Sequence, residues 1–142
     1  MREQRNTLGK RIAIIICDLY RFKQTNDMFG HQTGDKVLRE AVRMLKSQMR
    51  QNDSLVRYGG DEFVIVLTEC DEQQVVQAIS RFHEAVRQVK YGPNNTISLD
   101  ADFGYAYTEE YTRDSAMLSD MIRRADESMY RQKQSHNSEL SE

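Results

Sequence analysis

Hydrophobic positions along the chain change period several times, and each change marks an element. The run RIAIIIC, which ends at Asp18, is almost wholly apolar and rich in isoleucine, the pattern of a strand covered on both faces. From Gly34 to about Arg50 the residues Leu38, Ala41, Val42, Leu45 and Met49 recur at helical steps, which predicts an amphipathic helix closed by the turn pair Asn52-Asp53. Leu55, Val56 and Tyr58 predict a second strand, Gly59-Gly60 a tight turn, and Phe63 to Leu67 a third strand, together a hairpin. Val75, Val76, Ile79, Phe82, Val86 and Val89 mark another helix, stopped by Tyr91-Gly92-Pro93. From Ile97 the apolar residues Leu99, Ala101, Phe103, Tyr105 and Tyr107 alternate with Ser98, Asp100, Asp102 and Gly104, as in a strand near a sheet edge with one drier face. A last helix carries Leu118, Met121, Ile122, Ala125 and Met129 on one stripe, and the polar tail SHNSELSE is expected to fray.

The order is β-α-β-β-α-β plus a final helix. This split βαβ arrangement folds to a largely antiparallel sheet backed by helices on one face, an α+β class. At 142 residues the chain makes one domain, residues 1–142, large enough for a core without disulfides or a structural metal. With 20 Lys and Arg against 22 Asp and Glu there is no global positive field to hold a nucleic-acid backbone, so any phosphate must be bound by local groups and a metal. Cys17 and Cys70 lack metal or redox spacing, and His31, His83 and His136 never pair as ligands. The absence of a signal peptide or a long apolar run predicts no direct membrane contact and a reducing, cytoplasmic setting, whether or not the parent protein is anchored to a membrane.

The candidate chemistry lies where the strands end. In this topology the first strand and the hairpin lie side by side, which brings Asp18 near Asp61 and Glu62 at the turn. Carboxylates held together resist joint ionisation unless a cation neutralises them, and oxygen ligands on strands suit a hard ion such as magnesium. Gly59 and Gly60 leave the main chain open to a ligand, although residue chemistry alone favours a solvated hairpin tip. The segment RFKQTNDMFGHQTGD supplies Lys23 for phosphate and Asn26 and Asp35 for the donors of guanine; the plain alternative is a solvated loop with Asp35 capping the next helix.

Together these segments resemble the GGDEF family of diguanylate cyclases. Gly59-Gly60-Asp61-Glu62-Phe63 spells the signature, preceded by Arg57-Tyr58. Phe22-Lys23, Asn26-Asp27, Gly30-His31 and Gly34-Asp35 fall at the family's spacings before it, and Ala125-Asp126, Met129-Tyr130 and Lys133 resemble its closing helix. The resemblance implies a ferredoxin-like core of the nucleotidyl cyclase and polymerase palm type with helices packed around it. It implies condensation of two GTP molecules into cyclic di-GMP by a homodimer, with release of two pyrophosphates. By position it assigns magnesium, or manganese in its place, to Asp18, the carbonyl of Leu19 and Asp61, with Asp61 and Glu62 as catalytic carboxylates. Guanine falls to Asn26 and Asp35, and the triphosphate to Lys23, Lys133 and the main chain around Arg21 and Phe22, with Gly59 and Gly60 also at the substrate. Arg50-Gln51-Asn52-Asp53 resembles the family's RxxD product-inhibition site, with Arg50 and Asp53 its ends; ordinary helix-ending chemistry is the alternative.

The chain also departs from the pattern. Tyr20 stands where a second acid is common, Asp102-Phe103-Gly104 where Ser-x-Gly is usual, and Ser135-His136-Asn137 where Gly-Arg-Asn is expected, so a bidentate phosphate contact is lost. The family's usual N-terminal segment is absent, which predicts a domain cut from a longer protein with an upstream sensor domain. Set against the enzyme is a degenerate GGDEF domain that binds GTP or cyclic di-GMP as a regulatory module without catalysis.

Overall fold

The computed structural model describes residues 11–141, with side chains through 137. The elements are β1 (Ile12–Leu19), α1 (Phe22–Phe29), α2 (His31–Ser47), β2 (Ser54–Arg57), β3 (Glu62–Thr68), α3 (Glu72–Arg87), β4 (Lys90–Tyr91), a 3-10 turn (Pro93–Asn95), β5 (Ile97–Ser98), β6 (Ala101–Thr108) and α4 (Ser115–Ser141). β2, β3, β1 and β6 form one antiparallel sheet in that order, and β4 pairs with β5 in a separate ribbon. The fold is α+β, an antiparallel sheet with packed helices.

Side chains alternate across the pleat of β1, so its apolar run serves two cores. Ala13, Ile15, Cys17 and Leu19 pack with α1, α2 and α3 through Phe22, Val37, Leu45, Val75 and Phe82. Ile14 and Ile16 face the other way and pack with Met121, Ala125 and Met129 of α4. The expectation of helices on one face is therefore corrected: α4 covers the second face. It approaches so closely that a Cβ added at Gly104 would lie 2.0 Å from the backbone nitrogen of Met129 and 2.5 Å from the carbonyl oxygen of Ala125.

Four further expectations change. The segment after β1 is helical, as α1 and the first turn of α2, and the helices part at Gly30, whose φ of +89° ends α1. Asp35 lies inside α2 and does not cap it. The strand expected from Ile97 is interrupted: β5 pairs with β4, and β6 starts afresh at Ala101 on the sheet's edge, buried on both faces by α3 and α4. The helix expected to fray runs on through Ser141, whereas the polar first ten residues lie outside the described ones.

Because the atoms that would meet a Cβ at Gly104 are helix backbone, Gly104→Ala is expected to lower unfolding stability by about 3 kcal/mol in urea denaturation. Gly60→Ala, with nothing within 4 Å, is the control and should change it little. Equal midpoints for the two variants would show that α4 does not pack on β6 in this way.

Candidate functional site

Antiparallel register places three acids in one cross-strand row. Asp18, near the end of β1, pairs with Glu62 at the start of β3 and with Asp102 near the start of β6. Residues directly opposite share a face, and this face is the one α4 covers. Asp61 comes immediately before β3, and its carbonyl accepts a 3.0 Å hydrogen bond from the N–H of Leu19. Asp18 and Asp102 are buried, and Asp61 and Glu62 are half-buried.

One ammonium enters this group. Lys133 Nζ donates to Asp18 Oδ2 at 2.8 Å, spanning 115 positions of sequence. The other oxygen, Asp18 Oδ1, is buried without a hydrogen-bond partner, and so is Asp102 Oδ2. Burial, then the charge of Asp18, pushes the carboxyl of Asp61 above its ordinary value. Glu62 is raised by burial and by Asp18, Asp126 and Asp61. Asp102 is raised by burial although His136 works against it, and the bond to Asp18 raises Lys133. Asp18, Glu62, Asp126, Tyr130 and Lys133 line an open cleft of about 620 Å³.

The hairpin turn is held from behind. The N–H groups of Tyr58 and Gly59 donate to the carbonyl of Glu62 at 2.8 and 3.2 Å. Arg57 donates through Nε to the carbonyl of Gly59 at 3.0 Å and through Nη2 to that of Gly60 at 2.6 Å. Neither glycine has a positive φ, and a Cβ would meet nothing nearer than 3.9 Å, so packing does not demand glycine at either position. Their exposed main chain is open to a ligand.

The remaining predicted residues divide. Arg21 takes a left-handed conformation, φ 55°, immediately before α1, and its carbonyl receives the N–H and hydroxyl of Thr25. The Phe22 ring is buried in the core, which leaves only its main chain for a ligand. Lys23 and Asp35 are exposed. Asn26 leans on α2, where a Cβ at Gly34 would sit 1.6 Å from its Oδ1, so the missing side chain makes its room beside Asp35. Arg50 and Asp53 lie toward the opposite end of the sheet, beside Thr68. Asp53 accepts from the Arg50 backbone N–H at 2.8 Å, and the Arg50 guanidinium reaches Asp53 and the carbonyl of Thr68. Arg81 shares their cleft of about 150 Å³.

Sequence reasoning gave no site role to Arg57, Asp102, Asp126 or His136. His83 is half-buried, with Nε2 2.7 Å from Asp100 Oδ1 and its ring edge-on to Phe103. The available signal was the pair Asp100 and Asp102 in an otherwise dry strand. Among the described residues no group of three or more His, Cys, Asp or Glu side chains forms a metal-holding cluster. The set formed by Asp18, Asp61 and the Leu19 carbonyl has only two such side chains. All its donors are oxygens and one is a buried oxygen without a partner, which fits a hard divalent cation.

Known proteins share the family pattern and the fold. The sequence model described as diguanylate cyclase, GGDEF domain, matches residues 1–139. Diguanylate cyclase DosC of Escherichia coli K12 is 35% identical over 130 residues, which cover 88% of this chain and 27% of that protein, so the chain spans about a quarter of that relative's length. The diguanylate cyclase SiaD of Pseudomonas aeruginosa, solved with its activator SiaC, superposes with a TM-score of 0.79 at 29% identity over 94% of this chain and 50% of the other. The GGDEF domain of DgcB from Caulobacter crescentus, solved with c-di-GMP, shares the fold at a TM-score of 0.77 and 23% identity, over 89% of this chain and 74% of that one.

A carboxyl raised by folding favours the folded state only while it is protonated, and that contribution is lost as pH rises through its folded value. In magnesium-free buffer Asp61→Asn should therefore raise the melting temperature at pH 7, and the gain should shrink below about pH 4, where the wild-type acid is protonated too. A gain of equal size at both pH values would mean that Asp61 is not held against its neighbours' charge.

Proposed function

The chain belongs to the GGDEF diguanylate cyclase domain family, and from that premise we propose that it condenses two GTP molecules into cyclic di-GMP and releases two pyrophosphates. The observation that carries the reading is the buried, unpartnered Oδ1 of Asp18, set beside Asp61 and Glu62 and opposed by the ammonium of Lys133. Such a group of carboxylate oxygens would suit a hard divalent cation.

Asp18, Asp61 and the Leu19 carbonyl would hold magnesium or manganese. Its chemistry there is to favour loss of the ribose 3′-hydroxyl proton and to offset charge on the departing pyrophosphate. Lys133 and Lys23 neutralise the triphosphate, while the main chain at Arg21-Phe22 and Gly59-Gly60 lies against it. Arg57 keeps the carbonyls of that turn occupied, so they do not face the phosphates. Asn26 and Asp35 read the edge of guanine, for which a carboxylate accepts from both N1–H and the 2-amino group. Asp61 takes the 3′ proton, with Glu62 beside it.

Each copy offers one such site, so the reaction needs two copies facing each other about a two-fold axis. Each 3′-oxygen forms a bond to the α-phosphorus held by the other copy, and each α–β phosphoanhydride bond breaks. The cleft of Arg50, Asp53 and Arg81 is assigned to the product, which would displace the internal pairing of Arg50 with Asp53. No helix among the described residues is long and apolar enough to cross a membrane. The chain acts as the output module of a longer protein whose sensor domain brings two copies together.

The test is to incubate the chain with GTP and magnesium and identify the nucleotides by mass spectrometry. Cyclic di-GMP is expected from the wild type, and Asp61→Ala should cut its rate at least about a hundredfold with the fold intact. Unchanged turnover in the variant would remove Asp61 from the chemistry. Tight GTP binding without any product in the wild type would assign the chain to the non-catalytic binding modules instead.

A further inference from the structure

Helix α4 meets the acid row at two points. Lys133 and His136 stand three positions apart on its sheet-facing side, the spacing of neighbours on a helix surface. Asp18 and Asp102 stand opposite each other across β1 and β6. Lys133 Nζ lies 2.8 Å from Asp18 Oδ2, and His136 Nδ1 lies 2.9 Å from Asp102 Oδ1. The His136 ring also stacks on Tyr20, with centroids 3.8 Å apart and planes at 21°, and Tyr20 follows Asp18 by two positions. His136 thus touches both Tyr20 and Asp102, and all three are positions where the sequence leaves the family pattern.

Lys133 itself cannot hold the helix in place. The apolar packing of α4 ends at Met129, and among the described side chains beyond it none is buried. Lys133 lies one turn past that limit with 44% of its side chain exposed, and an ion pair made by a long, wet side chain fixes little by itself. His136 is better placed to do so. It is 20% exposed, its acceptor Asp102 is 6% exposed, and a ring with few rotamers is wedged between that carboxylate and Tyr20. A second, longer contact of 3.6 Å runs from His136 Nε2 to Asp100 Oδ2. Asp100 is already held by His83 and Arg87 of α3. Burial pushes its carboxyl up, but the His83 bond, the Ala101 N–H and Arg87 outweigh this and leave it lowered. His136 therefore docks onto a fixed part of the molecule.

We propose that His136 is a positioning residue: by bonding Asp102 and stacking on Tyr20 it pins the last turns of α4 to the sheet end and so keeps the ammonium of Lys133 at Asp18. Its use in binding a nucleotide triphosphate rests on the functional reading above; the pinning does not. Without the pin, residues 130–137 fray and the ammonium leaves the acid row for solvent.

Two nucleotide-free readouts test this on the whole chain. In His136→Ala, amide hydrogen exchange over 130–137 should accelerate at least about tenfold, with exchange over 117–129 and the melting temperature nearly unchanged. The slowly exchanging ammonium signal of Lys133 in ¹⁵N-lysine spectra should disappear. His136→Gln, which keeps a donor for Asp102, should restore much of both signals. Tyr20→Phe should match the wild type, because the Tyr20 hydroxyl has no hydrogen-bond partner and only its ring is used. Wild-type exchange and an intact ammonium signal in His136→Ala would overturn the proposal, as would fraying that leaves the ammonium signal untouched. Whether the wild type binds GTP is measured separately, so failure of the nucleotide reading leaves both readouts valid.

Discussion

Carboxylates crowd one end of this sheet, and most of the functional geometry follows from holding them there. Glu62, Asp18 and Asp102 share a row across three strands, with Asp61 at the margin. Cross-strand neighbours sit about 5 Å apart at Cβ. Like charges that close and partly removed from water repel unless protons or cations intervene. Both responses are visible: the carboxyls of Asp61, Glu62 and Asp102 are pushed up, and Lys133 and His136 reach in from α4. Neither is sufficient, because a buried oxygen on Asp18 and another on Asp102 stay without partners. In the function proposed above, a divalent cation held by Asp18 and Asp61 would offset that charge.

The same constraint explains why α4 must lie on the second face of the sheet. The acid row points to that face, so only an element packed there can bring a basic side chain to it. Gly104 lets the helix backbone touch the strand, and Met121, Ala125 and Met129 supply the apolar contact that carries Lys133 and His136 to the row. The other face, where α1 and α2 pack, provides a different service. It sets Asn26 against Gly34 and next to Asp35. The Arg50 and Asp53 pair occupies neither position, since Thr68 lies six residues from Glu62 along β3, about 20 Å at the rise of a strand.

Much of this was legible in the sequence. The continuous apolar run of β1 announced a strand covered on both faces, the alternation of β6 and the helical stripes carried the periods of their elements, and the meeting of Asp18 with Asp61 and Glu62 followed from topology alone. Three things were hidden for physical reasons. The segment from Arg21 to Asp35 carries few apolar residues and no stripe: Phe22 and Thr25 are buried, Phe29 packs edge-on against Tyr91, Asn26 leans on Gly34, and Gly30 parts the helices. The placement of α4 could not be read because a continuous apolar strand does not say which helix covers which face. Asp102 and His136 looked like separate departures, and only the packing of α4 on the sheet shows that they touch.

Paramagnetic broadening by manganese tests the central claim most directly. With a non-hydrolysable GTP analogue present, low manganese added to ¹⁵N-labelled protein should erase the amide signals of Asp18, Leu19, Asp61 and Glu62 first and leave those of Arg50 and Asp53 sharp. Asp61→Asn should abolish the selectivity. Uniform broadening, or loss centred on any other group of acids, would contradict the account.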